Sequence, residues 1–158
     1  MDKKPITPEG QKKLRVELEQ LKNVKRQEII DAISEARAHG DLKENAEYHA
    51  AREEQGLNEA RIRELEEVLS VSHVVEYTTM GIEDRVIFGS TVTIKDLETG
   101  KSKTYQIVGD AEADIETNTI SFTTPMAQSL IKRELGDFVE VQTPGGPKEY
   151  EITEIKLV

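Results

Sequence analysis

The sequence predicts an α+β protein in two parts: an N-terminal antiparallel coiled-coil helical hairpin over residues 1–75, then a small, mostly antiparallel β domain with one short helix over 76–158. Three observations predict it. Seven of the ten Gly and three of the five Pro fall after residue 75. The spacing of apolar residues changes near residue 76, from helical steps of three and four to alternation. Only 36% of the 158 residues are hydrophobic and 4% aromatic, with no Trp, which is little for one well-buried globule and favours an elongated chain.

The first helix is expected to start at Thr7, a side-chain cap, with Pro8 in the first turn. From Gln11 to His39 there is no Gly or Pro, and Leu, Glu, Lys, Arg, Ala and Gln dominate, the residues that lose least on entering a helix. Gly40 should end it. One stripe runs Leu14, Leu18, Leu21, Lys25, Ile29, Ile33, Ala36, and a second runs Tyr48, Ala51, Gln55, Asn58, Ile62, Leu65, Leu69. If the helices fold back on each other, facing residues have position numbers with a constant sum. Leu14 with Leu69, Leu18 with Leu65, Leu21 with Ile62 and Lys25 with Asn58 give 83, while Ile29 with Gln55, Ile33 with Ala51 and Ala36 with Tyr48 give 84. The jump falls at a stutter in the first stripe, where three successive steps are four. Reversal near Asp41 and Leu42 leaves a short turn, so the natural arrangement is a hairpin; an intermolecular coiled coil is the alternative.

Strand-like runs follow at Arg85–Phe88, Thr91–Lys95, Lys103–Val108, Thr119–Phe122, Phe138–Gln142 and Glu149–Leu157. Glu98-Thr99-Gly100 and Pro144-Gly145-Gly146-Pro147 read as hairpin connections. Thr124 before Pro125 starts a short helix with Ala127, Leu130 and Ile131 on its apolar side.

Composition excludes several function classes. With no Cys there is no disulfide framework or thiol nucleophile, and His39, His49 and His73 are too scattered for a His-based zinc signature. No secretory leader or membrane span is apparent, so a cytoplasmic location is expected. Lys and Arg number 21 against 31 Asp and Glu, a net charge of −10, which argues against wide wrapping of nucleic acid. Residues 1–75 carry 13 basic and 16 acidic side chains and residues 76–158 carry 8 and 15, so the sheet half, at net −7, suits docking on another protein better than on RNA.

The candidate chemistry sits at the tip of the hairpin, residues 40–48, which about 32 helical residues project by roughly 48 Å. Asp41 and Glu44, three apart at the expected start of the second helix, would place two carboxylates on one face within about 5–6 Å. Two readings stand side by side: a capping box, and a pair that holds a metal ion. Mg²⁺ prefers six oxygen ligands and usually takes one or two carboxylates with water and phosphate, so Asp41 and Glu44 are at most half a site. Brought to a second protein that already holds phosphate and metal, they complete a two-metal arrangement, which is catalysis in trans. Arg37, Lys43 and Arg52 flank the pair, either as ordinary solvated cations or as guides for a phosphate backbone that read no bases. Tyr48 reads as a packing residue on the seam, and His39 and His49 as exposed helix ends rather than ligands.

The stretches GDLKENAEYHAAREEQG from Gly40, PITPEGQKKLRVELEQLK from Pro5, RVIFGSTV from Arg85 and TYQIVGDAEAD from Thr104 resemble the bacterial Gre-type transcript cleavage factors over essentially the whole chain. The modest basic content of the tip is more similar to the GreA branch than to GreB. The resemblance implies an FKBP-like C-terminal domain and a factor, itself not an enzyme, that binds bacterial RNA polymerase stalled after backtracking. It implies insertion of the hairpin through the secondary channel and stimulation of the polymerase's own cleavage of the nascent RNA 3′ end. By position, Asp41 and Glu44 match the acidic pair that shares Mg²⁺ with the polymerase, and Arg37, Lys43 and Arg52 match the basic group that guides RNA. Thr124, Pro125 and Met126 match a docking loop of the C-terminal domain, where many members have Ser before Pro. Anti-cleavage paralogues alter the tip motif, whereas both acids are present here. An FKBP-like shape does not imply prolyl isomerase activity, because that pocket is aromatic-lined and this half offers only Phe88, Phe122, Phe138 and three Tyr. A monomer is expected. The rivals are a regulator that occupies the channel without chemistry and a free-standing metal-dependent nuclease.

Overall fold

The computed structural model describes residues 3–41 and 45–158. They form two compact units, residues 11–71 and residues 1–10 with 72–158. Composition assigns the first ten residues to the helical half. Backbone pairing assigns them to the sheet unit, because β1 (Lys4–Ile6) lies parallel to β2 (Ser72–Val74), with Lys4 opposite Ser72 and Ile6 opposite Val74. Strands of three residues are too short to show a period, so neither was expected from sequence.

In the helical unit, α1 (Pro8–Gln20) and α2 (Arg26–Arg37) are joined through a π-helical turn at Leu21–Lys25, and α3 (Ala46–Ser70) runs back along them. Thr7 caps α1 as expected, its hydroxyl accepting from the Gly10 N–H at 3.0 Å. The stutter and the π turn are one feature. Three seam steps of four exceed three α-helical turns by about one residue, and a π turn takes up one extra residue. All fourteen expected seam positions are buried or half-buried, with Leu14, Ile29, Ala36, Ala51, Asn58, Ile62 and Leu65 the most enclosed. Both helical stripes are therefore covered within one chain.

Polar contacts fix the register. Arg26 holds the Glu59 carboxylate with two hydrogen bonds of 2.9 and 2.8 Å, and Arg61 holds Glu17 with two of 2.8 and 3.0 Å. The bond to Arg26 keeps the Glu59 pKa below the usual carboxylate value. At the polar seam position Lys25 pairs with Glu54, which raises its pKa, and the Asn58 amide donates to the Leu21 carbonyl at 3.3 Å. That carbonyl lies in the π turn, where the α-helical bonding ladder is interrupted.

Besides the β1–β2 pair, the sheet unit contains a five-stranded sheet in the order β5 (Thr119–Ser121), β4 (Ser102–Val108), β3 (Thr91–Asp96), β7 (Gly146–Lys156), β6 (Phe138–Thr143). Three of the four pairings are antiparallel and β4–β5 is parallel, so the sheet is mostly antiparallel, as expected. α4 (Pro125–Leu130) covers one face, burying Ala127 and Leu130 against Val92, Ile94, Ile107 and Ile152. Ile152 and Ile155 are three apart yet both buried. A bulge opposite Thr93 and Ile94 explains this, because the extra residue returns Ile155 to the inner face.

Two expectations are corrected. Arg85–Phe88 is not a strand: only Arg85 bridges, to Glu134, because the chain turns at once through Gly89, whose φ is +92°. A Cβ at Gly89 would also lie 2.2 Å from Cγ of Tyr77, so only Gly fits beneath that ring. The connection after β6 is tighter than the four residues expected, since Thr143 already pairs with Gly146 and only Pro144 and Gly145 form the loop. Tyr77 is 1% exposed; its hydroxyl bonds the Val158 carbonyl at 2.9 Å and accepts from the Gln106 amide at 3.1 Å. Burial pushes its pKa up.

Candidate functional site

α2 ends at Arg37, and Gly40 adopts φ +111°, a left-handed conformation that turns the chain out of the helix. α3 restarts at Ala46 under a cap from Asn45, whose side-chain oxygen accepts from the Tyr48 N–H at 3.1 Å. The same side chain donates from its amide nitrogen to the Ala36 carbonyl at 2.6 Å. One residue thereby satisfies a terminal N–H of α3 and a terminal carbonyl of α2 and pins the two ends of the turn together.

This arrangement corrects the capping-box reading. The cap of the second helix is Asn45, and Asp41 lies four residues earlier, outside any helix. The helical spacing that placed Asp41 and Glu44 on one face at the start of α3 therefore does not apply. Asp41 is exposed and lines an open concavity of about 500 Å³ together with His39, Asn45, Ala46 and Glu47. His39 Nε2 lies 4.0 Å from the Glu47 carboxylate, with both side chains more than half exposed, so their attraction is weak. Glu44 and Lys43, the other acid and the central cation of the sequence reading, lie outside the described residues.

Arg37 is the last residue of α2 and Arg52 lies on α3; both are exposed and neither has an ion-pair partner among the described residues. Tyr48 is half-buried on the seam, with its ring edge-on to His49 at 5.6 Å, as a packing residue should be. Among the described residues no three His, Cys, Asp or Glu side chains converge as a metal site, and no helix is long and apolar enough to cross a membrane. In the sheet unit Thr124 is occupied as the cap of α4, accepting from the Ala127 N–H at 3.2 Å, while Pro125 is exposed and Met126 half-buried.

Sequence comparison covers both units. Residues 4–74 match the family model for the N-terminal part of transcription elongation factors, and residues 81–157 match the GreA/GreB C-terminal model. The chain belongs to the GreA/GreB family of transcription elongation factors. A relative from Thioalkalivibrio sulfidiphilus (strain HL-EbGR7), described as transcription elongation factor GreA, is 53% identical over 158 residues and covers all of both chains. One from Neisseria meningitidis serogroup A (strain Z2491), with the same description, is 52% identical at the same coverage. Among solved structures, the GreA factor homolog 1 (Gfh1) of Thermus thermophilus is 29% identical, with a TM-score of 0.43 over 98% of this chain and 99% of that one. Within the family frame, Asn45 is the tip residue that sequence reasoning missed. Its signal was present, an Asn directly before a helix-forming run, but the more familiar D-x-x-E spacing drew the cap to Asp41.

Proposed function

We propose that this GreA/GreB-family chain rescues backtracked bacterial RNA polymerase by placing its hairpin tip in the secondary channel and stimulating the polymerase's cleavage of the nascent RNA 3′ end. The observation that carries this reading is the exposed Asp41 carboxylate, set in the turn between two paired helices and bordered by a concavity of about 500 Å³. The chain acts as an accessory factor, not as an enzyme by itself.

The donor chemistry at the turn fits Mg²⁺, which takes hard oxygen ligands such as the Asp41 and Glu44 carboxylates. Mg²⁺ prefers six oxygen ligands and two carboxylates supply only part of that shell, so the rest comes from the polymerase and its RNA. When bound, the ion supplies Lewis-acid stabilisation of the charge that develops at the scissile phosphodiester. Asp41 and Glu44 contribute negative charge and ligand oxygens; Arg37, Lys43 and Arg52 attract and align the RNA backbone. Asn45 closes the turn that carries Asp41. The sheet unit docks on the polymerase through the stretch Thr124, Pro125, Met126, in which Pro125 is the exposed member. Coverage of both seams within one chain supports a monomer, and the polymerase partner supports a cytoplasmic location.

The test is transcript cleavage by stalled elongation complexes with the parent, Asp41→Asn and Glu44→Gln, alongside competition binding to polymerase. The expected result is unchanged binding with cleavage lost by at least about a hundredfold, the scale of a removed catalytic electrostatic group. Full cleavage by both variants would reduce the chain to a channel occupant, and RNA hydrolysis without polymerase would make it a nuclease.

A further inference from the structure

The inner face of the sheet runs on past its helical cover. On β3, Val92 and Ile94 are buried in the core, and Asp96, next on the same face, stands at the margin. Lys103 lies directly opposite Ile94 on β4, and Tyr150 directly opposite Asp96 on β7. Directly opposed residues of antiparallel strands share a face, so a lysine occupies what would be a core position were α4 longer. The result is a cleft of about 180 Å³ with Ile94, Tyr105, Met126 and Tyr150 as its apolar walls and Lys101, Lys103 and Lys148 at its rim.

Among the described residues the three rim ammonium groups have no carboxylate within ion-pair distance, although Lys22, Lys25 and Lys156 elsewhere in the chain do. The one acid in the cleft, Asp96, is already committed, accepting from the backbone N–H groups of Glu98 at 2.8 Å and Thr99 at 3.2 Å. Residues 76–158 hold only 8 basic side chains against 15 acidic, and three of those eight converge here, where Lys148 is close enough to Asp96 to help hold that carboxyl's pKa down. The Tyr105 and Tyr150 hydroxyls likewise have no hydrogen-bond partner among the described residues. Positive charge gathered around an apolar floor on an acidic domain is complementary to an acidic ligand with an apolar centre.

Size narrows the ligand. Sites for drug-sized molecules and cofactors run from roughly 300 to 1,000 Å³, so this cleft is too small for a nucleotide and holds about one bulky side chain. A long polyanion such as RNA would leave the patch and run over a surface of net −7. We infer that the cleft is a docking socket for an acidic peptide segment: one aromatic or large aliphatic side chain enters between Tyr105 and Tyr150, and flanking carboxylates pair with Lys101, Lys103 and Lys148. This adds a chemical class of partner to the docking assigned above to the sheet unit. It is tested without polymerase, so failure of either reading leaves the other standing.

The probe is a fluorescent heptapeptide with a central Phe flanked by two Asp and two Glu, titrated with the full-length chain at low salt. Saturable binding is expected, weakened by added salt and by Phe-to-Ala replacement in the peptide. The triple variant K101E/K103E/K148E, all at exposed positions, should lose at least about tenfold in affinity with an unchanged melting temperature. The control K12E/K95E/K156E changes the net charge equally and should bind as the parent does. No saturation up to about 1 mM peptide, equal binding by the cleft variant, or an equal loss in the control would overturn the socket. Tighter binding of a labelled oligouridylate than of the peptide would overturn the choice of occupant.

Discussion

Replacing Asn45 by Ala removes two bonds at once, the cap to the Tyr48 N–H and the 2.6 Å bond to the Ala36 carbonyl. Loss of an Asn cap costs about 1 kcal/mol, and loss of a partly buried amide–carbonyl bond costs about 1 kcal/mol more. Because the groups belong to different helices, the expected total is about 2 kcal/mol, all of it in the helical unit. For a unit of this size that lowers the melting midpoint by roughly 8–16 °C. Asn45→Asp separates the terms: it keeps an acceptor for the cap and favours the helix N-terminus by charge, but sets a carboxylate oxygen against the Ala36 carbonyl. Its midpoint should fall below the parent's despite the intact cap. Circular dichroism at 222 nm, where the helices dominate, reads both variants. If Asn45→Ala unfolds within about 0.5 kcal/mol of the parent, or Asn45→Asp exceeds it, the two-helix clamp is not what holds the turn.

Other expectations concern the helical unit and the sheet unit. The Glu59 pKa is depressed by its hydrogen bond to Arg26, so the stability it brings is present above the ordinary carboxylate value of 4.5 and is lost as pH falls through the lower folded value. The helical midpoint should fall on acidification below that range, and Arg26→Gln should flatten the Glu59 share of the dependence. Deleting Asn23, an exposed residue of the π turn, should convert that turn to regular α-helix and keep both seam segments in phase. An undiminished helical signal and a midpoint within a few degrees are expected, whereas collapse of the hairpin would refute the link between stutter and π turn. Gly89→Ala should destabilise the sheet unit by more than about 2 kcal/mol in chemical denaturation, from steric overlap with Tyr77 together with a left-handed backbone.

Long periodic segments were legible in the sequence. The alternation from Tyr48 to Leu69 marked α3, and the step from Leu21 to Ile33 marked where the first helix departs from α geometry. Its form as a π turn was hidden, because a stutter records an extra residue without recording which hydrogen bonds accommodate it. Short features were not legible: Lys4–Ile6 and Ser72–Val74 are strands only because each finds the other, a contact spanning the whole helical unit in sequence. Arg85–Phe88 failed for the opposite reason, since its apolar character serves the core through Val86 while Gly89 denies it length. At the tip, Asp41 was correctly placed in the turn and Tyr48 on the seam, but local capping was assigned to the wrong residue. D-x-x-E and Asn before a helix-forming run are both valid start signals, and only the bond from Asn45 to Ala36 decides between them.

The parallel ribbon of β1 and β2 also bears on how such a molecule can change. Its two strands hold the chain's departure point and its return point side by side, so the intervening helices behave as a cassette inserted at one address. Lengthening or shortening both legs by matched heptads leaves that address untouched. The helical unit can therefore be resized in evolution or engineering without redesign of the sheet unit.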